Sequence, residues 1–260
     1  MVDEQFVGRW VERLRAEVPD AVGVFVGGSW LRGDSGPFSD VDFDIVVPDG
    51  PRDEWPAWFD EDGDRLVCVS TWIRDLDGWL AAQRRPQDWA YGLSSVDQAR
   101  LCWVADEAWR ERLDRPHTVY PPGEPEIDHF EGDAGKVANA WLAGDAEGLR
   151  LAAQDLARAV VSLLRPLNAV PPVRGRREAL RALLDFAVAP VGYRDDMLAC
   201  LGLADRYVDL DALYAAASRL VRGVLDLLDA HLDTVAPLLP PDAAAHLRDG
   251  SLRRYLSQLP

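Results

Sequence analysis

The chain has 260 residues, 48% of them hydrophobic, and a formal net charge of −16. That length allows two domains with cores of their own, and no apolar run approaches the roughly 20 residues that cross a bilayer. So acidic a surface repels polyanions, which argues against DNA or RNA as substrate and favours a cationic small molecule, although acidity that serves solubility alone is the commoner case.

The start, Met1-Val2-Asp3-Glu4, holds no basic segment, so no signal peptide is read and a cytoplasmic location is expected. Val2 to Glu17 places Phe6, Val7, Trp10, Val11 and Leu14 at helical spacing, with Pro19 as the stop. This amphipathic helix is expected to pack on a sheet and to have no catalytic part. Val22 to Val26 reads as a buried strand. It is followed by Gly27-Gly28-Ser29, a turn that opens a short helix and offers backbone N–H groups and a hydroxyl to an anion. A polar loop with Gly33, Gly36 and Pro37 leads to a second strand, Val41 to Val47, that begins with acids. Strand side chains repeat every two residues, so Asp40, Asp42 and Asp44 share one face. Like charges in such a row repel unless cations bind them, and a hard cation such as Mg²⁺ suits carboxylate oxygens.

Gly28-Ser29, Arg32-Gly33 and Ser39-Asp40-Val41-Asp42 together resemble the signature of the DNA polymerase beta-like nucleotidyltransferase superfamily: a Gly-Ser, a short spacer and an Asp-x-Asp flanked by apolar residues. A lone Gly-Gly-Ser is usually an ordinary turn and a lone Asp-x-Asp a solvated strand end; the two at this spacing are far more specific. The resemblance covers Phe25 to Val47. It implies that Gly28, Ser29 and Arg32 bind the phosphates of a nucleoside triphosphate, with ATP the expected donor. It also implies that Asp40 and Asp42 are the catalytic pair and that Mg²⁺ is held by Asp40, Asp42 and Asp44. The competing role for Arg32 is an ion pair with an Asp of the neighbouring strand.

Pro48-Asp49-Gly50-Pro51 breaks the chain after this strand. Arg52 to Gly63 is acidic and Trp-rich and is read as a short helix and a turn, and Arg65 to Ile73 as a third strand. Many active members of the superfamily carry a further carboxylate on that strand, but here Cys68 and Ser70 occupy its middle. Three readings stay open. Asp42 and Asp44 together hold the metal; or an acid from elsewhere (Asp64, Asp88 or one of the C-terminal part) completes the site, which is the favoured reading; or the chain binds nucleotide and turns it over poorly.

Asp75 to Arg85 reads as a helix with Leu76, Trp79 and Leu80 inward and Pro86 as its stop, Leu101 to Val104 as a short strand, and Asp106 to Leu113 as a capped helix. Residues 116–126, rich in Pro and Gly, read as a linker between a core at 1–115 and a second domain at 127–260. Beyond it Leu, Ala and Val recur at three- and four-residue spacing over Lys136–Ala143, Gly148–Leu164, Arg177–Val188, Asp196–Leu203, Leu210–Leu232 and Ala243–Leu256, an α-helical bundle. Arg174, Arg176 and Arg177 are either a phosphate clamp or, with the better odds, surface; Lys136, the only lysine, is likewise read as surface. Cys68, Cys102 and Cys200 are widely spaced and read as core thiols in a reducing compartment. His117, His129, His231 and His246 show no metal-ligand spacing.

The expected fold is therefore α+β, a small mixed-sheet nucleotidyltransferase core followed by an α-helical bundle domain. In size and order this resembles the aminoglycoside and lincosamide nucleotidyltransferases. That likeness implies Mg-dependent transfer of a nucleoside monophosphate to a hydroxyl of a small, cationic acceptor such as an aminoglycoside. The alternative is a nucleotide-binding module or antitoxin-like partner with little turnover. Neither nucleic acid nor membrane is an expected partner, and a homodimer is among the states the sequence allows.

Overall fold

The computed structural model describes residues 2–33, 35–50, 52–83, 99–113, 125–168 and 176–259. The chain divides into two compact units, Met1–Pro121 with Pro172–Ala179 and Pro122–Pro171 with Leu180–Pro260. Most of the expected linker at 116–126 lies outside the described residues.

The first unit is built on a six-stranded mixed sheet. Helix α1 (Glu4–Glu17) starts where the Asp3 carboxylate accepts the Phe6 N–H at 2.8 Å, an N-cap that satisfies one of the donors a helix start leaves over. Strands β1 (Gly23–Val26) and β2 (Val41–Val47) pair antiparallel, with the short helix α2 (Gly28–Arg32) between them in sequence. β3 (Asp53–Glu54) and β4 (Ala57–Asp62) both pair antiparallel with β5 (Arg65–Asp75), and β5 pairs parallel with β2. Helix α3 (Leu76–Gln83) follows, then β6 (Arg100–Val104), which closes the far edge against β1, and helix α4 (Glu107–Leu113). The order across the sheet is β3-β5-β2-β1-β6, with β4 alongside β5. Both later helices are capped as their sequences suggest: Asp75 accepts from Gly78 N–H and Asp106 from Trp109 N–H.

One expectation fails here. Arg52 to Gly63 forms β3 and β4 where a short helix and a turn were expected. The segment is acidic, yet it alternates: Trp58 turns toward α1 and packs on Trp10 at 5.8 Å, Asp60 accepts the Trp10 indole N–H at 2.8 Å, and Phe59 between them faces out, 72% exposed. Gly63, at φ +65, supplies the left-handed turn residue that returns the chain into β5.

The apolar residues of α1 cover one face of the sheet. Phe6, Trp10 and Leu14 pack with Val24, Val26, Val41, Phe43, Ile45, Val69 and Ile73, all buried. Part of the opposite face is closed by a smaller cluster of Val22, Phe25, Val46, Leu76, Trp79 and Leu113.

The second unit is helical: α5 (Ile127–Leu142), α6 (Ala146–Leu164), α8 (Tyr193–Cys200), α9 (Leu210–Ala230), α10 (Leu232–Val235), α11 (Pro241–Arg248) and α12 (Ser251–Leu256), with α7 (Arg176–Leu184) beginning in the first unit's share of the chain and ending in the second's. Asp145 and Asp209 cap α6 and α9 through Gly148 N–H and Ala212 N–H. Asp196 of α8, 4% exposed, holds Arg219 of α9 at 2.6 Å. The expected single helix at Ala243–Leu256 is broken in two, because Gly250 takes φ +73 and starts a new helix. Lys136 of α5 is 67% exposed on its side chain and pairs with Asp133 at 2.8 Å, a surface position as expected. No helix among the described residues is long and apolar enough to cross a membrane.

Candidate active site

The site is assembled where β1 ends and β2 begins. The Gly27 N–H donates to the Asp42 carbonyl at 2.8 Å, tying the Gly-Gly-Ser turn to the second strand. Gly28 has φ +72, and a Cβ added there would stand 2.0 Å from Asp42 Oδ2. Glycine is required at this position twice over: for the left-handed backbone, and for the space the Asp42 carboxylate already fills. The two halves of the sequence signature are thus in contact.

β2 departs from simple alternation at this end. Asp40, just before it, is exposed; Asp42 is half-buried; Asp44 is 8% exposed. Burial pushes the Asp42 carboxyl up to about 6, the charges of Asp40 and Asp44 push the same way, and Arg32 pulls it down. Asp44 is also raised to about 6, by burial, against the pull of Arg74. The Arg74 guanidinium lies 3.5 Å from Asp44, and both side chains are almost enclosed. Asp44 therefore has a cation of the protein's own, whereas Asp40 and Asp42 face each other's charge with Arg32 as the opposing influence. The three acids share a strand face, as the period of two requires, but they are two kinds of carboxylate. Arg32 is close enough for its charge to act on Asp42.

Across β2 on the β5 side, the parallel register sets Ser70 opposite Asp42 and Trp72 opposite Asp44. Cys68, two residues before Ser70, lies toward Asp40, and its thiol is held above the ordinary range by burial first and by the Asp40 and Asp42 charges next. Cys68 and Cys102 are half-buried and only Cys200 is buried, so the reading of all three as core thiols holds for Cys200 alone. No acid of β5 faces Asp42. Asp64 is exposed in the β4–β5 turn, four residues before Cys68, or ~13 Å at 3.3 Å per strand residue. Asp88 and Arg174 lie outside the described residues, as do the side chains of Arg176 and Arg177. Among the described residues no group of three or more His, Cys, Asp or Glu side chains forms a metal cage.

The sequence reading missed two tryptophans. Trp55 and Trp72 stack with ring centres 5.2 Å apart and planes 6° from parallel, on the same sheet face as Asp42. The Trp55 indole N–H donates to Ser70 Oγ at 2.8 Å, and the Trp72 indole N–H donates to Asp53. Trp55 was read as part of a helix, and no local sequence signal pairs it with a residue of the next long strand.

Residues 8–86, which span α1 to α3 and contain every residue of this site, match the family model of the nucleotidyltransferase domain. Residues 126–230 match the model described as nucleotidyltransferase, substrate binding domain. No curated protein matches the chain. Among solved structures it is similar to a nucleotidyltransferase-like protein from Exiguobacterium sibiricum at 13% identity and a TM-score of 0.41, over 88% of this chain and 76% of that one. With the Gly-Ser turn set against the Asp-x-Asp strand in the first matched region, and helices α5, α6, α8 and α9 in the second, the chain is a nucleotidyltransferase: a nucleotidyltransferase domain followed by the substrate binding domain that accompanies it.

Proposed function

We propose that this enzyme moves a nucleoside monophosphate, with ATP as donor, onto a hydroxyl of a small cationic acceptor of the aminoglycoside kind. The observation that carries the reading is the contact between the Gly28 turn and the Asp42 carboxylate, beside an exposed Asp40. Two hard oxygen donors with no protein cage around them suit Mg²⁺, which keeps several waters and binds through one or two carboxylates plus substrate phosphates. The residues that would hold it are Asp40 and Asp42; Asp44 is committed to Arg74. When bound, the ion would neutralise phosphate charge and help to orient the α-phosphorus.

The protein's own groups divide the remaining work. Gly28, lacking a side chain, lets the triphosphate approach the backbone of the turn, and the Ser29 hydroxyl adds a hydrogen bond at the start of α2. Arg32 supplies positive charge on the same side. Catalysis is then positioning plus electrostatic stabilisation, with no covalent nucleophile on the protein. The acidic surface disfavours nucleic acid as acceptor and draws in a cation.

The test is transfer of label from α-labelled ATP with Mg²⁺ across a panel of aminoglycosides, lincosamides and bulk tRNA. Label on an aminoglycoside is the expected result; label on tRNA alone overturns the acceptor. A second reading, a nucleotide-binding module with little turnover, draws on Ser70 and Cys68 standing where a third acid is common. It predicts Mg²⁺-dependent ATP binding with no pyrophosphate released in the presence of any panel member.

A further inference from the structure

We infer that the outer face of Trp55, backed by Trp72, forms the shelf on which a ring of the acceptor rests. The inference builds on the transfer reaction proposed above and names the subsite that reaction needs.

The argument starts from strand order. β2, with Asp42 on it and Asp40 just before it, is in the middle, with β1 on one side and β5 on the other. The turn at Gly28-Ser29 follows β1, so the phosphate-binding end of the site is on the β1 side. In the transfer, the acceptor oxygen bonds to the α-phosphorus as the bond to the bridging oxygen breaks. Pyrophosphate leaves with the bonding pair, and the hydroxyl proton passes to solvent. The attacking and departing oxygens are roughly in line. With pyrophosphate at the β1 side, the acceptor enters from the β5 side, which is where the two tryptophans stand.

The shelf is near enough and rigid enough. Trp72 is one strand across from Asp42 and two residues along, ~8 Å between Cα atoms for strands ~4.8 Å apart and a rise of ~3.3 Å. Both indole N–H groups are occupied, by Ser70 and Asp53, and the Arg74 guanidinium lies 3.6 Å from the Trp72 ring centre. The planes are therefore fixed before anything binds. Yet Trp55 is 70% exposed, so a large flat apolar surface is held open to water beside the catalytic acids. Trp55 spends one face on Trp72 and its indole N–H on Ser70, which leaves the other face in water, whereas the sheet's other tryptophan at this edge, Trp58, is turned inward onto Trp10.

The chemistry at the shelf selects its occupant. Asp53, the register partner of Arg74 on the same sheet face as the shelf, accepts the Trp72 indole N–H, so a carboxylate borders the indoles. An indole face bordered by a carboxylate suits a ring that shows C–H groups on its face and carries an ammonium group at its edge, through stacking and cation–π attraction. An amino sugar has that form.

The test uses the full chain with Trp55→Ala and Trp55→Phe, α-labelled ATP, Mg²⁺ and the aminoglycoside panel. In Trp55→Ala the KM for the modified aminoglycoside should rise about five- to tenfold, the scale of one lost ring contact. Its kcat and its KM for ATP should stay within about twofold, and Trp55→Phe should recover most of the loss. Calorimetric titration of the same aminoglycoside into each protein should show the same fold-change without turnover. An alanine variant that matches wild type in both measurements overturns the shelf, and so does a change that falls on ATP instead, which would make it a nucleobase platform. A wild-type enzyme that labels nothing in the panel overturns the acceptor reading first, before any variant is compared.

Discussion

The two faces of one sheet have been put to opposite uses. On the face under α1, Val41, Phe43, Ile45 and Val47 of β2 are each 1% exposed or less and meet a continuous apolar layer. One residue over, Asp42 and Asp44 on the other face carry carboxyls that burial holds well above their ordinary range. The closed face gains from every side chain it buries; the open one is strained by what it buries, and a cation relieves that strain. Val46, further along, is buried on the opposite face, but at the start of the strand stability comes from the odd positions and chemistry from Asp42 between them, so mutations one residue apart there should separate the two.

The largest effect expected is on the closed face. Phe43→Ala removes a fully buried ring and should cost ~3–5 kcal/mol of unfolding free energy. Denaturant unfolding measures it, and the fraction that remains folded should still bind ATP. A loss of binding without a loss of stability would mean that the two faces are not separable.

Next comes the neighbouring residue on the open face. Asp42→Asn should lower transfer by about two to three orders of magnitude, the scale for removing one electrostatic contributor to a transition state. Its melting temperature without metal should equal or exceed that of wild type, since a repelling charge goes. Full turnover in this variant would remove Asp42 from the mechanism.

A pH experiment sharpens the same comparison. The Asp42 carboxyl is raised from 3.8 to about 6 in the folded state, so the fold binds that proton more tightly than the unfolded chain does. Its contribution is complete below the unfolded value and is lost as pH rises through about 6. In the presence of a chelator, wild type should therefore lose ~2 kcal/mol relative to Asp42→Asn between about pH 4 and pH 7. Mg²⁺ at pH 7 should restore part of the gap. Parallel stability curves for the two proteins would show that Asp42 is not under this stress.

The smallest effect belongs to Ser29→Ala. One neutral hydrogen bond to phosphate is lost while the turn's backbone donors stay, so ATP affinity should fall by ~1 kcal/mol, about fivefold, by calorimetry. An unchanged affinity would locate the phosphates away from the start of α2.

What could be read from the sequence follows from how local each signal is. The period of two placed Asp40, Asp42 and Asp44 on one face, and the cap at Asp106 is a short-range side-chain-to-backbone bond. The different fates of the three acids were not legible, because Arg74, which takes Asp44, comes from β5 some thirty residues later and meets it only through register. β4 was misread because an acidic, Trp-rich stretch looks like solvated helix until its partner strand is known; pairing, not propensity, makes it a strand. The shelf was invisible for the same reason twice over, since Trp55 and Trp72 meet only after both β3 and β4 have found β5. The break at Gly250 was written in the sequence as a glycine inside a helical pattern.

The pairing of Lys136 with Asp133 has a practical consequence. In 260 residues there is a single lysine, against a background of arginines, so amine-directed reagents meet one side chain besides the chain's own amino terminus. That side chain is on α5, within the matched substrate binding domain, and exposed at the surface. The carboxylate beside it holds its ammonium above the usual amine range, so coupling calls for more alkaline conditions than a free lysine needs, and Asp133→Asn would ease it. A dye or a surface tether placed there reaches the helical unit at one defined point, leaving the chemistry of the sheet unmodified.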